Sequence, residues 1–262
     1  MSMGFRHRWP RLFLALRALK YLGREEPIDP LTRSVLAAID GPLVVQTGPF
    51  AGLRYLPAAS GSGLLPKLAG TYEKEIQGVV IETLGRPYHR VVNIGCGEGY
   101  YAVGYARALR EAQVLAFDLD PLARQRTGKL ARLNGVQERV EVRAACNPVE
   151  LERSLQGRSL VVCDCEGCEL ALLDPRSVPA LAGADLLVEL HDFLIPSLSS
   201  TLCNRLASTH TVKIYRQRPR SRADLPPGLA AALSDEQCAH ALSEGRPALM
   251  EWAWFEARKA AA

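Results

Sequence analysis

The chain has 262 residues, of which 48% are hydrophobic and 23% charged, with a formal net charge of +4. That suits one large α/β domain with additions, or two small domains, and excludes a disordered chain. The charge is too small for a protein that coats nucleic acid, and no apolar run approaches the ~20 residues of a membrane span. Seven cysteines without a clear secretory signal point to reduced thiols in a cytoplasmic protein rather than a disulfide framework.

Residues 1–63 read as an N-terminal appendage and residues 64–262 as the main domain. In the appendage, Arg11–Leu22 suggests a basic amphipathic helix. Asp29 then caps a helix that starts at Pro30 and runs through Ala38. "LVVQTGPFAGLRYL" reads as two short strands around a Gly-Pro turn, and "AASGSG" as a flexible loop. The stretch from Leu64 to Gly85 is helical in pattern. Beyond it, apolar strands alternate with amphipathic helices. The strands are "RVVNI", "QVLAFD", "RVEVRA", "LVVCD" and "DLLVEL", followed by the late strands "HTVKIYRQ" and "ALMEWAWFEAR". Helices are expected near Tyr101–Glu111, Pro121–Asn134, Asn147–Leu155, Glu166–Leu173 and Pro196–Ala207. Short Val- and Leu-rich strands separated by helices imply a doubly wound, Rossmann-like α/β sheet. Seven strands are expected, mostly parallel, the last antiparallel.

"VVNIGCGEGYYAVGYA" follows the first strand and opens a helix. Gly95, Gly97 and Gly99 let the backbone bend sharply and approach a ligand without a Cβ in the way. Asp118, about 20 residues on, ends the next strand, where nucleotide-binding α/β folds place a carboxylate for ribose hydroxyls. Asp120 precedes Pro121 and reads as a helix cap. The spacing is not the G-x-G-x-x-G of dinucleotide folds, and no phosphate-cradling G-K-[ST] loop is present. The G-x-G-x-G pattern resembles motif I of class I S-adenosylmethionine-dependent methyltransferases. That resemblance implies S-adenosylmethionine as cofactor, bound by Asn93, Gly95, Cys96, Gly97, Gly99 and Asp118. The family usually carries Asp or Glu where this chain has Asn93, so somewhat weaker cofactor binding is expected. Tyr72, before the first strand, is expected to fold with Glu73 over the methionine end, and Asn147 to meet the adenine edge.

"LVVCDCEGCELALLDP" places Cys163, Cys165 and Cys168 around Asp164, Glu166 and Glu169. A zinc site needs four directed ligands, and no second knuckle supplies the fourth. The thiols therefore read as small buried hydrophobes. Strand alternation points Cys163 away from Asp164. "DCEGCE" is similar to the D-x-E-G-x-E signature of FkbM-like methyltransferases, and "LAGTYEKEI" and "LLVELHDF" fit the same resemblance over roughly Leu64–Tyr215. The fourth strand should lie beside the first and the fifth beside the fourth, bringing together Asp164, Glu166, His191 and Asp192. Asp164 also belongs to the expected cofactor site. Two chemistries stay open for this group, beside a structural reading in which Glu166 and Glu169 cap or solvate a helix start, where the dipole favours acids. His191 acts as general base with Asp164 and Glu166, or Asp164 and Asp192 hold a divalent cation, with His191 or Glu189.

Arg216, Arg218, Arg220 and Arg222 alternate in a Pro-rich loop that reads as solvated, and Trp252 and Trp254 read as core. The expected activity is methylation of a small-molecule or sugar hydroxyl, with nucleic acid not the expected partner and a homodimer an open option. The rivals are methylation of RNA or protein, and a nucleotide-binding protein of other chemistry.

Overall fold

The computed structural model describes residues 23–258 apart from 26 and 247. The basic helix expected near Arg11–Leu22 lies outside the described residues. Helix α1 (Pro30–Ala37) begins as its cap foretells, with the Asp29 carboxylate accepting from the Thr32 backbone N–H. The segment Leu64–Gly85 is not one helix. Gly70, at φ 80°, breaks it into α2 (Leu64–Ala69) and α3 (Gln77–Leu84), with a short 3-10 turn at Lys74–Ile76 between.

Strands and helices then alternate. They are β1 (Arg90–Ile94), α4 (Tyr100–Ala108), β2 (Gln113–Phe117), α5 (Pro121–Leu133), β3 (Val140–Arg143), α6 (Pro148–Ser154) and β4 (Ser159–Cys163). There follow α7 (Glu169–Leu172), β5 (Asp185–Leu190), α8 (Leu198–Leu206), β6 (His210–Arg216), α9 (Pro227–Ala232), α10 (Asp235–Leu242) and β7 (Glu251–Ala257). The seven-stranded sheet has the order β3-β2-β1-β4-β5-β7-β6. Only β7 runs antiparallel, inserted between β5 and β6. β4 pairs with β1 and β5 with β4, both parallel.

Strand alternation divides the core in two. Val91, Val162, Leu187, Trp252 and Trp254 belong to one apolar cluster, and Val92, Val161, Cys163, Val188 and Phe255 to another. Each such fully buried aliphatic side chain contributes about 1.5–3 kcal/mol, so β4 and β5, buried along their whole lengths, anchor the sheet. The appendage shares the first cluster through Val45, Phe50, Leu53 and Tyr55. The expected pair of strands there reduces to one antiparallel bridge, Val44–Arg54. Phe50 sits on Gly104 of α4, where a Cβ would lie 2.6 Å from its ring. A third cluster joins α1 and α2 to α9 and α10, so the excursion between β6 and β7 folds back onto the N-terminal elements.

Candidate active site

Because Ile94 pairs with Cys163, the loops leaving β1 and β4 start side by side. The Asp164 N–H donates to the Ile94 carbonyl at 2.9 Å. A Cβ on Gly95 would lie 1.6 Å from the Asp164 carbonyl oxygen. The glycine loop is also tied to β2, with the Gly95 and Cys96 N–H groups donating to the Phe117 carbonyl at 2.9 Å each. Asp118 follows, its carboxylate accepting from Gly97 N–H and Asp120 N–H, both at 2.8 Å. Burial raises its pKa against the pull of those two donors.

A cavity of about 300 Å³ opens here. Gly95, Gly97 and Asp118 line one side of it, and Asp164, Cys165 and Glu166 come from the end of β4. Ile94, Phe117, Leu119 and Cys146 supply apolar surface. Leu119 is 72% exposed at this rim, unusual for a large aliphatic side chain beside a polar loop.

The structure brings Gly95, Gly97, Asp118, Asp164 and Glu166 to the cavity wall and leaves other expected residues off it. Asn93 is buried, with Nδ2 donating to the Val162 carbonyl at 3.3 Å. The Cys96 side chain packs against Thr127, and Gly99 abuts the same threonine. Tyr72 is buried edge-on against Tyr100, with Lys67 Nζ 4.9 Å above its ring. Asn147 serves as the N-cap of α6, accepting from Glu150 N–H, and Cys146 holds the cavity position instead. Asp192 accepts from the Ser199 N–H and hydroxyl at the start of α8 and does not join Asp164. The reading of the thiols as buried holds for Cys163, but Cys165 and Cys168 line the cavity and Cys168 is exposed.

His191 is fully buried and lies behind that wall rather than on it. Its Nδ1 lies 2.6 Å from Glu169 Oε1. Its Nε2 faces Glu189 Oε2 at 3.3 Å, Asp164 Oδ1 at 3.5 Å and Glu166 Oε2 at 3.8 Å. Burial disfavours an imidazolium, but Glu169 and Glu189 outweigh it and push the His191 pKa up to about 12. Burial and the neighbouring Glu189 charge raise Asp164, while Arg246 and His191 hold Glu189 ionised despite its burial. Glu166 and Glu73 both have positive φ, 55° and 45°, conformations that cost energy in non-glycine residues and gather at functional sites.

Sequence reading missed the cations that hold this region together. Arg246 bonds Glu189, Glu73 at 2.6 Å and Glu244 at 2.7 Å. Arg220, expected in a solvated loop, is buried against Glu75 at 2.5 Å and Glu244 at 3.0 Å. Lys67 reaches Glu98 Oε1 at 2.5 Å, and Glu98 also accepts from the Tyr55 hydroxyl and from Ser60 N–H at 2.8 Å. Glu98 thus ties the appendage to the glycine loop. Lys67→Met leaves that carboxylate buried without its counter-charge. Thermal unfolding should show a loss of about 3 kcal/mol, at the lower end of the range for broken buried pairs because two other donors remain.

Residues 78–165 match the family of ribosomal protein L11 methyltransferases (PrmA). That segment runs from α3 to just beyond β4 and contains the glycine loop, Asp118 and Asp164. The chain is an S-adenosylmethionine-dependent methyltransferase. No curated protein matches this methyltransferase in sequence. Among solved structures it is similar to an S-adenosylmethionine-dependent O-methyltransferase from Thermotoga maritima, at 11% identity, with 73% of this chain and 68% of that chain covered and a TM-score of 0.44. It is also similar to precorrin-6y C5,15-methyltransferase from Geobacter metallireducens, at 10% identity over 72% of this chain and 90% of that one, TM-score 0.48. A third is the C-terminal domain of precorrin-6Y C5,15-methyltransferase from Rhodobacter capsulatus, at 17% identity over 68% and 85%, TM-score 0.45. None of these likenesses bears on the acceptor. No helix among the described residues is long and apolar enough to cross a membrane.

The site's chemistry fits the cofactor. Asp118 offers a carboxylate to a diol, Leu119 and Cys146 offer apolar surface to a base, and Gly95 and Gly97 permit close approach.

Proposed function

We propose that the enzyme methylates a hydroxyl of a small molecule or sugar. In this reading S-adenosylmethionine is held by Gly95, Gly97 and Asp118, and the acceptor meets Asp164 and Glu166. One observation carries it: among the described residues, the cavity wall holds the carboxylates of Asp118, Asp164 and Glu166 and no lysine or arginine. Such a wall favours a cationic donor and a neutral acceptor, and disfavours a polyanion such as RNA. Two arginines of the arginine-rich loop do not restore that option. Arg220 is spent on Glu75 and Glu244, and Arg222 on Asp235 and the Leu233 carbonyl.

When bound, S-adenosylmethionine supplies a methyl group on a positively charged sulfur. The protein's part is to hold both partners in line, since positioning removes most of the entropic cost of a two-body reaction. β1 and β4 do this by presenting Gly95 and Asp164 from adjacent, hydrogen-bonded strand ends. His191 acts as a positioning residue, fixed by Glu169 behind Asp164 and Glu166. The Asp164, Glu166, Glu169 spacing supports a place near the FkbM-like enzymes.

Calorimetry with S-adenosylhomocysteine tests the reading. Binding is expected, with no binding of NAD. Asp118→Ala should weaken it about 10–100-fold, the loss of one or two charge-assisted hydrogen bonds. Tight NAD binding without S-adenosylhomocysteine binding would overturn it.

A further inference from the structure

We propose that Asp164, Glu166 and His191 form a binding site for a borderline divalent cation, of the Mn²⁺ or Zn²⁺ class. One ligand atom from each lies within 4.8 Å of the other two. Donors about 2.1 Å from a shared ion lie roughly 3.0–3.5 Å apart, and His191 Nε2 is 3.5 Å from Asp164 Oδ1 and 3.8 Å from Glu166 Oε2. The two histidine distances are thus at or slightly above that range, and a small rotation of the Glu166 side chain would close the set on an ion.

An acidic cluster alone would carry little. The second observation is the imidazole. His191 is fully buried, and its Nε2, 3.3 Å from Glu189 Oε2, makes no well-aligned hydrogen bond; nor does the buried Asp164 Oδ1, 3.5 Å from it. The other ring nitrogen, Nδ1, lies 2.6 Å from Glu169 Oε1, and Glu169 is itself fully buried. A carboxylate on the far nitrogen sets the tautomer, leaves the Nε2 lone pair facing the acids and raises its basicity. This is the arrangement that supports metal-ligating histidines generally. A lone pair surrounded by Asp164, Glu166 and Glu189 calls for a proton or a cation among them. A proton on Nε2 or on the Asp164 carboxyl, or a metal ion, supplies it. Arg246 is engaged elsewhere, on the far oxygen of Glu189 and on Glu73 and Glu244.

A histidine with two carboxylates is a nitrogen–oxygen set suited to Mn²⁺, Co²⁺ or Zn²⁺ rather than to Ca²⁺. The side chain of Asp164 is 29% exposed and that of Glu166 55%, so the remaining coordination positions face the cavity. An acceptor oxygen could bind there, oriented for attack. That role rests on the methyltransferase reading; the cation site itself does not.

The test is titration of the full chain with Mn²⁺, without cofactor, followed by the electron paramagnetic resonance signal of the free ion. One Mn²⁺ per chain is expected. Glu166→Gln, at a side chain 55% exposed, should lower affinity at least tenfold, with circular dichroism confirming an unchanged fold. Glu169→Gln should lower it about 10–100-fold through the imidazole. Asp192→Asn should leave it unchanged. No saturable Mn²⁺ binding, or binding equal in wild type and Glu166→Gln, would overturn the site and assign the charge on His191 to a proton. The same samples titrated with S-adenosylhomocysteine keep the two readings apart: cofactor binding without Mn²⁺ binding removes only the cation site.

Discussion

Gly95→Ala is expected to abolish binding of S-adenosylhomocysteine, with at least a 100-fold loss of affinity, while the sheet stays folded. The added Cβ would fall 1.6 Å from the Asp164 carbonyl oxygen, where no atom fits, and the residue sits at φ 76°. The collision is with backbone, so no side chain can rotate away. Either the glycine loop or the start of the β4 loop must shift, and each carries one wall of the cavity. The left-handed conformation adds roughly 1–2 kcal/mol for any L-residue. Gly97→Ala makes the internal comparison. Its Cβ would meet the Ser60 carbonyl at 3.3 Å, a contact a small movement relieves. Calorimetry should therefore rank Gly95→Ala well below Gly97→Ala, with far-ultraviolet circular dichroism near wild type for both. Equal affinities in the two variants would show that the loops do not depend on this approach.

Arg246→Met should be the most destabilising single substitution among the site's charges. Arg246 neutralises Glu73, Glu189 and Glu244, whose side chains are at most 3% exposed. Removing one partner of a buried pair costs about 3–5 kcal/mol, because the remaining charge stays in a poor solvent. Here three carboxylates lose a shared cation at once, but Glu244 keeps Arg220 at 3.0 Å and Glu189 keeps His191 at 3.3 Å, which places the loss within that range. At roughly 2–4 °C per kcal/mol for a domain approaching this size, the midpoint of thermal unfolding should fall by about 6–20 °C. Burial already pushes the Glu73 carboxyl up to about 7 against the pull of Arg246. A midpoint within 2 °C of wild type would mean that the acids find other partners.

The parts of the fold that local chemistry dictates were readable in advance. Val- and Leu-rich runs of five or six residues between helices could only be central parallel strands, and β4 and β5 are buried as that implies. Gly95 and Asp118 were findable because a close turn needs a residue without a Cβ and because a carboxylate about 20 residues on, at the end of the next strand, lies beside that turn. Where two local duties compete, the helix start wins: Asn147 caps α6, and Asp192 accepts from Ser199 in the first turn of α8. Parity along β5 explains the second case. Glu189 and His191, two apart, share a side, while Asp192 falls on the other, toward α8. What spacing does not reveal is pairing between distant segments. Lys67 with Glu98, Arg220 with Glu75 and Arg246 with Glu73 join residues 31, 145 and 173 positions apart. Their sequence neighbourhoods look like ordinary solvated surface.

The span between Glu73 and Arg246 bears on how the enzyme is made. Synthesis delivers Glu73 173 residues, and Glu189 57 residues, before the arginine that compensates both. Until then the nascent sheet carries an uncompensated acidic patch that resists closure, since long-range contacts pay their loop entropy before any reward. The charge balance behind the cavity is therefore complete only when the excursion between β6 and β7 has docked and brought Arg246 to Glu73 and Glu189.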